Sequence, residues 1–377
     1  MVSRRALSVI VAVRNSAPTL VRVLTGILSS NLPRDDYELI VVDDNSSDGS
    51  PELAARYADT IVRLTDRKSG LAYARNRGAE IARADVLVFV DADAMLPPDI
   101  LQRMLRIFYD HPSVDAVCAG HNESCEAQNL VSQYRNQLLR FGERRETMAN
   151  GNVGSPCAAV RRDAFLSAGM YDEWRFETSP VEGVEFGTRL REAGREVFCS
   201  RDLQITLLRR WSLRAFCREV CGRSVLVARS LGYHRARRAV PGDLVFTLSR
   251  SAAPIFAALC VAAFSAAFLP RPDFTAGVVI VVLGAVTLNL RDYVYFARAR
   301  GVAFALAVAP LHFFMQAISG LGLCLGWVLR DTLGDRAPDA AIQAYAEVGV
   351  ETWPPVPRAP NAAVSASGSG MARGHGG

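Results

Sequence analysis

The residues with the clearest chemical potential are Asp91 and Asp93, in the stretch DVLVFVDADAMLP at 85–97. The apolar, β-branched run at 86–90 predicts a buried strand covered on both faces. A strand that stops where its apolar run stops presents both acids at its carboxyl edge, where open α/β sheets bind ligands. Two carboxylates this close repel each other, so a site that keeps both ionised has a cation nearby. Hard oxygen donors suit Mg²⁺ or Mn²⁺, ions that also bridge phosphate oxygens. Taken alone, the pair is a weak signal and also reads as two solvated acids at a polar strand end. A second pair, Asp43 and Asp44, follows another apolar run at 37–42. Its alternative is turn chemistry ahead of a helix, with Asp48 or Ser50 as N-cap and Pro51 near the first turn.

The elements that must position these acids follow in order. Residues 7–13 predict a first buried strand, and Pro18 opens a helix to about Ser29. A short third strand is expected at 61–64. A helix over 70–82 carries Arg75, Asn76 and Arg77, with Arg77 read as a solvated helix charge. Pro97 and Pro98 are expected in the first turn of the helix after the Asp91 strand. This βαβαβαβ rhythm predicts a parallel sheet with right-handed crossovers, so the acids of two strand ends converge on one crevice.

Four segments, SVIVAVRN, VVDDNSSDGS, GLAYARNRGA and VFVDADAMLPPD, resemble in order and spacing the nucleotide-sugar half of family 2 glycosyltransferases, which have the GT-A fold. The resemblance implies that Asp44 bonds the nucleotide base, supported by Asp43 and Arg75. It also implies that Asp93 holds Mg²⁺ or Mn²⁺ against the donor diphosphate, with Asp91 near ribose and metal. The implied activity is that of a hexosyltransferase-like enzyme using an NDP-sugar, UDP- or GDP-linked. The chemistry is consistent: a carboxylate accepts from a base N–H, and a divalent ion neutralises a diphosphate leaving group.

Downstream, residues 155–160 predict a strand and 163–168 a short helix stopped by Gly169; the similar family segment lines the acceptor side. Residues 181–193 predict a helix capped by Gly194. In the family this helix opens with Glu-Asp, whose Asp is the general base of an inverting transfer. Here the pair is Glu182-Gly183. Glu182 either takes the base role from one position away or serves as a helix N-terminal acid. In LQITLLRRWSL, residues 203–213, Leu207 stands where family members carry a metal-binding His. Arg210 and Trp211 match the end of a family motif and are read as phosphate and acceptor contacts, or as part of an interfacial helix. Three readings stay open: catalysis through Glu182 and a two-Asp metal site, an acceptor with an anionic nucleophile such as a lipid phosphate, or nucleotide-sugar binding without turnover in a degenerate or scaffold protein.

Composition adds the setting. The chain has 377 residues, 50% hydrophobic, with net charge +5 and Lys68 as its sole lysine. Mean hydropathy is +0.12. Eight cysteines without CxxC pairs imply free thiols rather than zinc sites. The first apolar run is too short for a signal peptide, which predicts a cytosolic N-terminal domain. Ten arginines against two acids lie between Arg201 and Val240. With Trp211, Leu213, Phe216 and Val220 at helical spacing, they predict a basic amphipathic helix on an anionic membrane face. No nucleic-acid motif accompanies this charge. The expected organisation is an α/β GT-A domain at 1–200, an interfacial segment at 201–243, spans at 244–269, 274–290 and 302–329 within a transmembrane region 244–330, and a disordered tail at 331–377. Arg291, Arg298 and Arg300 predict a cytoplasmic loop at 291–300. The expected location is the inner membrane, multi-pass, with the catalytic domain cytoplasmic and a lipid-linked or glycan acceptor. His312 and Gln316 are read as part of a lipid acceptor path or as helix–helix hydrogen bonds.

Overall fold

The computed structural model describes residues 5–65, 70–145, 153, 156–173, 182–230, 283–284 and 286–329. An eight-stranded sheet forms the centre, in the order β3-β2-β1-β4-β7-β6-β8-β5. Its first half is β1 (Leu7–Val13), β2 (Tyr37–Asp43), β3 (Thr60–Arg63) and β4 (Val86–Asp91), all parallel. All seven residues of β1 and of β2 are buried. That is why their sequences are continuous apolar runs rather than alternating ones. Two of the polar exceptions, Ser8 and Glu38, sit together near the amino ends. Ser8 Oγ donates to Glu38 Oε1 at 2.6 Å, and the same oxygen accepts from the Arg83 N–H at 2.7 Å.

The helices on the two faces explain the crossovers. In α1 (Ala17–Leu28), Leu20, Val23, Leu24 and Ile27 are buried, the i, i+3, i+4, i+7 stripe of a core-facing helix. Helix α2 (Ser50–Ala54) begins after Gly49, whose φ of 79° puts the N-cap in the left-handed region; Asp48 supports it by accepting from the Ser50 N–H at 3.2 Å. Helix α3 (Leu71–Ile81) lies against β1 and β2 through Gly78. Helix α4 starts at Ile100, with Asp99 as N-cap, and runs to Asp110. Pro97 and Pro98 therefore precede the helix instead of occupying its first turn, because β5 (Ala94–Met95) is held extended against β8 (Glu196–Leu207).

The second half of the sheet is mixed. β7 (Cys157–Arg161) runs antiparallel between β4 and β6 (Val114–His121), and β8 is parallel to β6. Helices α5 (Leu130–Arg145), α6 (Arg162–Ser167) and α7 (Glu182–Glu192) complete this half. The glycines after α6 and α7, Gly169 and Gly194, have φ of 80° and 74°, the left-handed stop expected of them.

Among the described residues, three C-terminal helices dock on the sheet domain: α8 (Leu213–Ser230), α9 (Leu290–Arg300) and α10 (Val302–Leu329). Phe216 and Val220 of α8 are covered in one apolar cluster with Tyr134 of α5, Phe296 of α9 and Val308 of α10. This corrects the expectation that the α8 stripe faces a bilayer, since protein already occupies that face. The expected 291–300 loop is a helix, ended by Gly301 at φ 91°. Among the described residues, α10 alone is long and apolar enough to cross a membrane. The expected span at 244–269, residues 274–282 and 285 of that at 274–290, and the expected tail lie outside the described residues.

His312 and Gln316 of α10 are fully buried. His312 Nδ1 lies 2.7 Å from Tyr134 Oη, and Gln316 Nε2 donates to Asn289 Oδ1 at 2.5 Å. The helix–helix alternative is the one observed, and through Tyr134 it also ties α10 to the sheet domain.

A Cβ on Gly78 would sit 2.5 Å from Ile10 Cγ2 and 3.1 Å from Val42 Cγ2. Gly78→Ala gains up to about 1 kcal/mol of helix propensity but overpacks the α3–sheet contact at about 1–3 kcal/mol. Net destabilisation is expected in a denaturant midpoint. A stabilised variant would show that α3 packs less closely.

Candidate active site

The carboxyl ends of β1, β2 and β4 form one edge, and Asp43, Asp44 and Asp91 all lie on it, with Asp93 just past β4. Asp43 and Asp44 are each 4% exposed. Asp44 Oδ2 accepts from the Gly70 N–H at 3.0 Å and from Arg14 Nη1 at 3.2 Å. Asp43 Oδ2 accepts from the Ser46 N–H at 3.3 Å. The Oδ1 atoms of both acids are buried with no hydrogen-bond partner. A buried carboxylate oxygen left unpaired costs free energy, so each is an acceptor available to a ligand N–H or O–H.

Arg75 is the hub. It projects from α3 and is 2% exposed. Nη2 donates to Asp91 Oδ1 at 2.5 Å and Nη1 to Glu182 Oε1 at 2.8 Å. Its guanidinium lies 5.5 Å from the centre of the Tyr171 ring. The adjacent Asn76 holds the Tyr171 segment in place: Nδ2 donates to Tyr171 O at 2.9 Å, and Oδ1 accepts from the Tyr171 N–H at 3.1 Å. Thus one turn of α3 joins the Asp91 strand to the α7 helix. Arg77, on the same helix, pairs with Glu80 at 2.5 Å and is partly exposed.

Glu182, at the first position of α7, is 1% exposed, and its Oε2 has no partner. Burial pushes its carboxyl up to about 7, against the pull of Arg75. Gly183 follows, and its carbonyl accepts from the Val153 N–H at 3.1 Å. Asp93 is raised to about 6, first by loss of water around it and then by the charge of Asp91. A divalent cation is what such a repelling pair favours.

The donor set fits a metal–diphosphate complex better than a free ion. Among the described residues no group of three His, Cys, Asp or Glu side chains is placed to hold a metal. Mg²⁺ and Mn²⁺ need only one or two carboxylates when phosphate oxygens supply further ligands. Leu207 pairs with Ala94 across β5 and β8, and the Leu208 N–H donates to Asp93 O at 2.9 Å. An aliphatic side chain therefore stands beside Asp93 where an imidazole would have added a ligand.

Arg210 is exposed on the turn after β8. Trp211 is buried, with Arg135 and Arg209 each 4.3 Å from its ring centre. That packing occupies the ring and does not support its reading as an acceptor-facing side chain. Arg135 of α5 makes a two-pronged pair with Glu219 of α8, at 3.1 and 2.9 Å, and Glu219 also meets Arg223 at 2.8 Å. Burial opposes ionisation of Glu219, but the two arginines outweigh it and hold the carboxyl at about 2. This network joins α8 to the sheet domain. Nothing in the local sequence pattern marks Arg135, Glu219 or Tyr171 for these roles, because each depends on a partner more than 80 residues away.

Removing Arg75 leaves two facing carboxylates without their cation. Arg75→Met is expected to destabilise the domain by about 3–5 kcal/mol, as for other broken buried pairs, measured by chemical denaturation. A loss below about 1 kcal/mol would mean that Asp91 and Glu182 do not depend on it.

Residues 8–168 match the family model described as Glycosyl transferase family 2. The chain is 30% identical over 170 residues to an uncharacterized glycosyltransferase of Haemophilus influenzae, covering 43% of this chain and 55% of that protein. It is 39% identical over 136 residues to the succinoglycan biosynthesis protein ExoO of Rhizobium meliloti, covering 36% of each. The matches span about a third to about half of the length of these curated relatives. Among solved structures, the mannosyltransferase PcManGT from Pyrobaculum calidifontis, in complex with GDP-Man and Mn²⁺, has the same fold. Its TM-score is 0.55 at 21% identity, covering 84% of this chain and 87% of that one. The sheet order, the acids at its edge and the matched residues 8–168 together make that segment similar to glycosyltransferase family 2, within a GT-A-like sheet domain followed by C-terminal helices.

Proposed function

We propose that this chain transfers a hexose, with inversion, from a UDP- or GDP-linked sugar to a lipid-linked or polysaccharide-precursor acceptor. The observation that carries the reading is Glu182, a buried carboxylate with one oxygen held by Arg75 and the other unpartnered. A base whose proton affinity lies near neutrality suits removal of a hydroxyl proton. Glu182 Oε2 takes the acceptor proton as the acceptor oxygen attacks the anomeric carbon, and the nucleoside diphosphate leaves. Arg75 keeps that carboxylate oriented and offsets the charge of Asp91 beside it. Asp44, through its free Oδ1, accepts from the base of the donor, with Asp43 in support. Asp93 and Asp91 would hold Mg²⁺ or Mn²⁺, which would neutralise the leaving diphosphate. Arg210 is exposed near the same edge and contacts phosphate. The GDP-Man and Mn²⁺ bound by PcManGT support this donor chemistry, and the succinoglycan relative supports a polysaccharide-precursor acceptor.

The membrane setting belongs to the same proposal. At about 1.5 Å per residue, the 28 residues of α10 exceed the roughly 30 Å of hydrocarbon a bilayer presents. Helix α10 anchors the chain in the inner membrane, with the sheet domain on the cytoplasmic side. The different reading, a domain that binds nucleotide sugar without turning it over, is favoured by Leu207 beside Ala94 and by Gly183 in place of an acid.

Two measurements separate them. A base ionising near 7 is active when deprotonated, so kcat/KM is expected to rise about tenfold per pH unit below 7 and level off above it. Glu182→Gln should lose this limb and most of the rate; full activity in that variant would exclude Glu182 as the base. In binding assays, Mn²⁺ is expected to tighten nucleoside diphosphate affinity at least tenfold, and Asp93→Ala to abolish that gain. An undiminished gain in Asp93→Ala would overturn the metal assignment.

A further inference from the structure

Outside the reaction centre, a cleft of about 540 Å³ opens between α5 and α9. Its volume falls in the usual range for ligand sites, roughly 300–1,000 Å³. Its chemistry is divided. Phe141, Leu290 and Val294 give it an apolar floor, while Arg291 and Arg298 stand along it. The two arginines are seven residues apart on α9, so they share one face of the helix. Both are exposed, and neither has an ion-pair partner among the described residues. Tyr295 of the same helix ties it to α5. Tyr295 stacks on Phe141 with ring centres 4.9 Å apart, and its hydroxyl donates to Gln137 Oε1 at 3.1 Å.

Among the described residues the one acid lining the cleft is Glu123, whose Oε1 lies 3.8 Å from Arg140 Nη1. Arg140 already faces that carboxylate, so Arg291 and Arg298 are left to take an anionic group such as a phosphodiester. Leu283, Val286 and Leu288, in the segment just before α9, are also exposed. Leu290 and Val294 are themselves 55% and 39% exposed. An isolated phosphate has no use for such a surface, whereas an acyl chain does.

We propose that the α5–α9 cleft binds the headgroup of an anionic phospholipid, with Arg291 and Arg298 on the phosphodiester and the acyl chains along Leu290 and Val294. The site rests on the reading of a membrane-associated chain. It would set the depth and tilt at which the sheet domain meets the bilayer surface, because Tyr295 ties α9 to α5.

The test uses the full chain in a neutral detergent without a bilayer, so its outcome does not depend on how α10 crosses. Dioctanoyl phosphatidylglycerol is titrated by calorimetry beside dioctanoyl phosphatidylcholine and inorganic phosphate. Saturable binding of the phosphatidylglycerol is expected, at least tenfold tighter than of either other probe. The Arg291→Gln/Arg298→Gln double variant should lose at least tenfold in that affinity while keeping the wild-type thermal midpoint. Arg298→Gln alone should show part of the loss and serves if the double variant folds poorly. Unchanged affinity in the variants, or equal binding of the phosphatidylcholine, would overturn the proposal. Inorganic phosphate binding as tightly as the lipid would instead make this a free-anion site and overturn it as well.

Discussion

The arrangement depends on one buried guanidinium between two carboxylates. Arg75 reaches Asp91 at the end of β4 and Glu182 at the start of α7 in a place almost closed to solvent. Taking such charges out of water costs several kcal/mol each unless their partners are close and well directed. The geometry here meets that condition and couples the parallel half of the sheet to the α7 helix. Asn76, one residue on, fixes the Tyr171 segment that covers the same group. The crevice is therefore assembled from α3 outward. Its shape rests on ionic pairing rather than on loop length.

The same economy of elements governs the C-terminal helices. Tyr134 of α5 meets His312 of α10, Arg135 meets Glu219 of α8, and Tyr295 of α9 meets Gln137. One helix of the sheet domain thus receives all three. Close contact between α8 and α10 follows from small residues: a Cβ on Gly326 would fall 2.3 Å from the Val225 carbonyl oxygen. These helices are continuous with the catalytic core through buried polar contacts, which cost most when broken and so hold a unique docking.

Much of this was readable from residue order. The bounds of β1 and the parallel half of the sheet follow from continuous apolar runs, which admit one physical solution when both faces are buried. The acids at strand ends follow from the same runs stopping. The direction of β7 does not, because strand polarity is set by the path of the intervening chain rather than by local pattern. The two-residue strand β5 is too short to leave a periodic signal, yet it displaces the start of α4 beyond Pro98. Arg291–Arg300 has the charge of an exposed loop and forms a helix, since its burial rests on Asp292 and Phe296 meeting partners from other elements. Trp211 shows the limit most plainly. The sequence motif marks it as noteworthy, but only the placement of Arg135 and Arg209 on its faces reveals that it packs inward.

Leu207 and Gly183 remain the points where residue type and proposed chemistry pull apart, and both stand beside the groups that would act. The decisive measurement is release of nucleoside diphosphate from a panel of UDP- and GDP-sugars. It uses the purified full chain in native-type lipid, supplied with lipid extract, with and without Mn²⁺. The account predicts Mn²⁺-dependent release from one donor of the panel. Tight, Mn²⁺-assisted binding of that donor with no release would contradict it and assign the site to recognition alone.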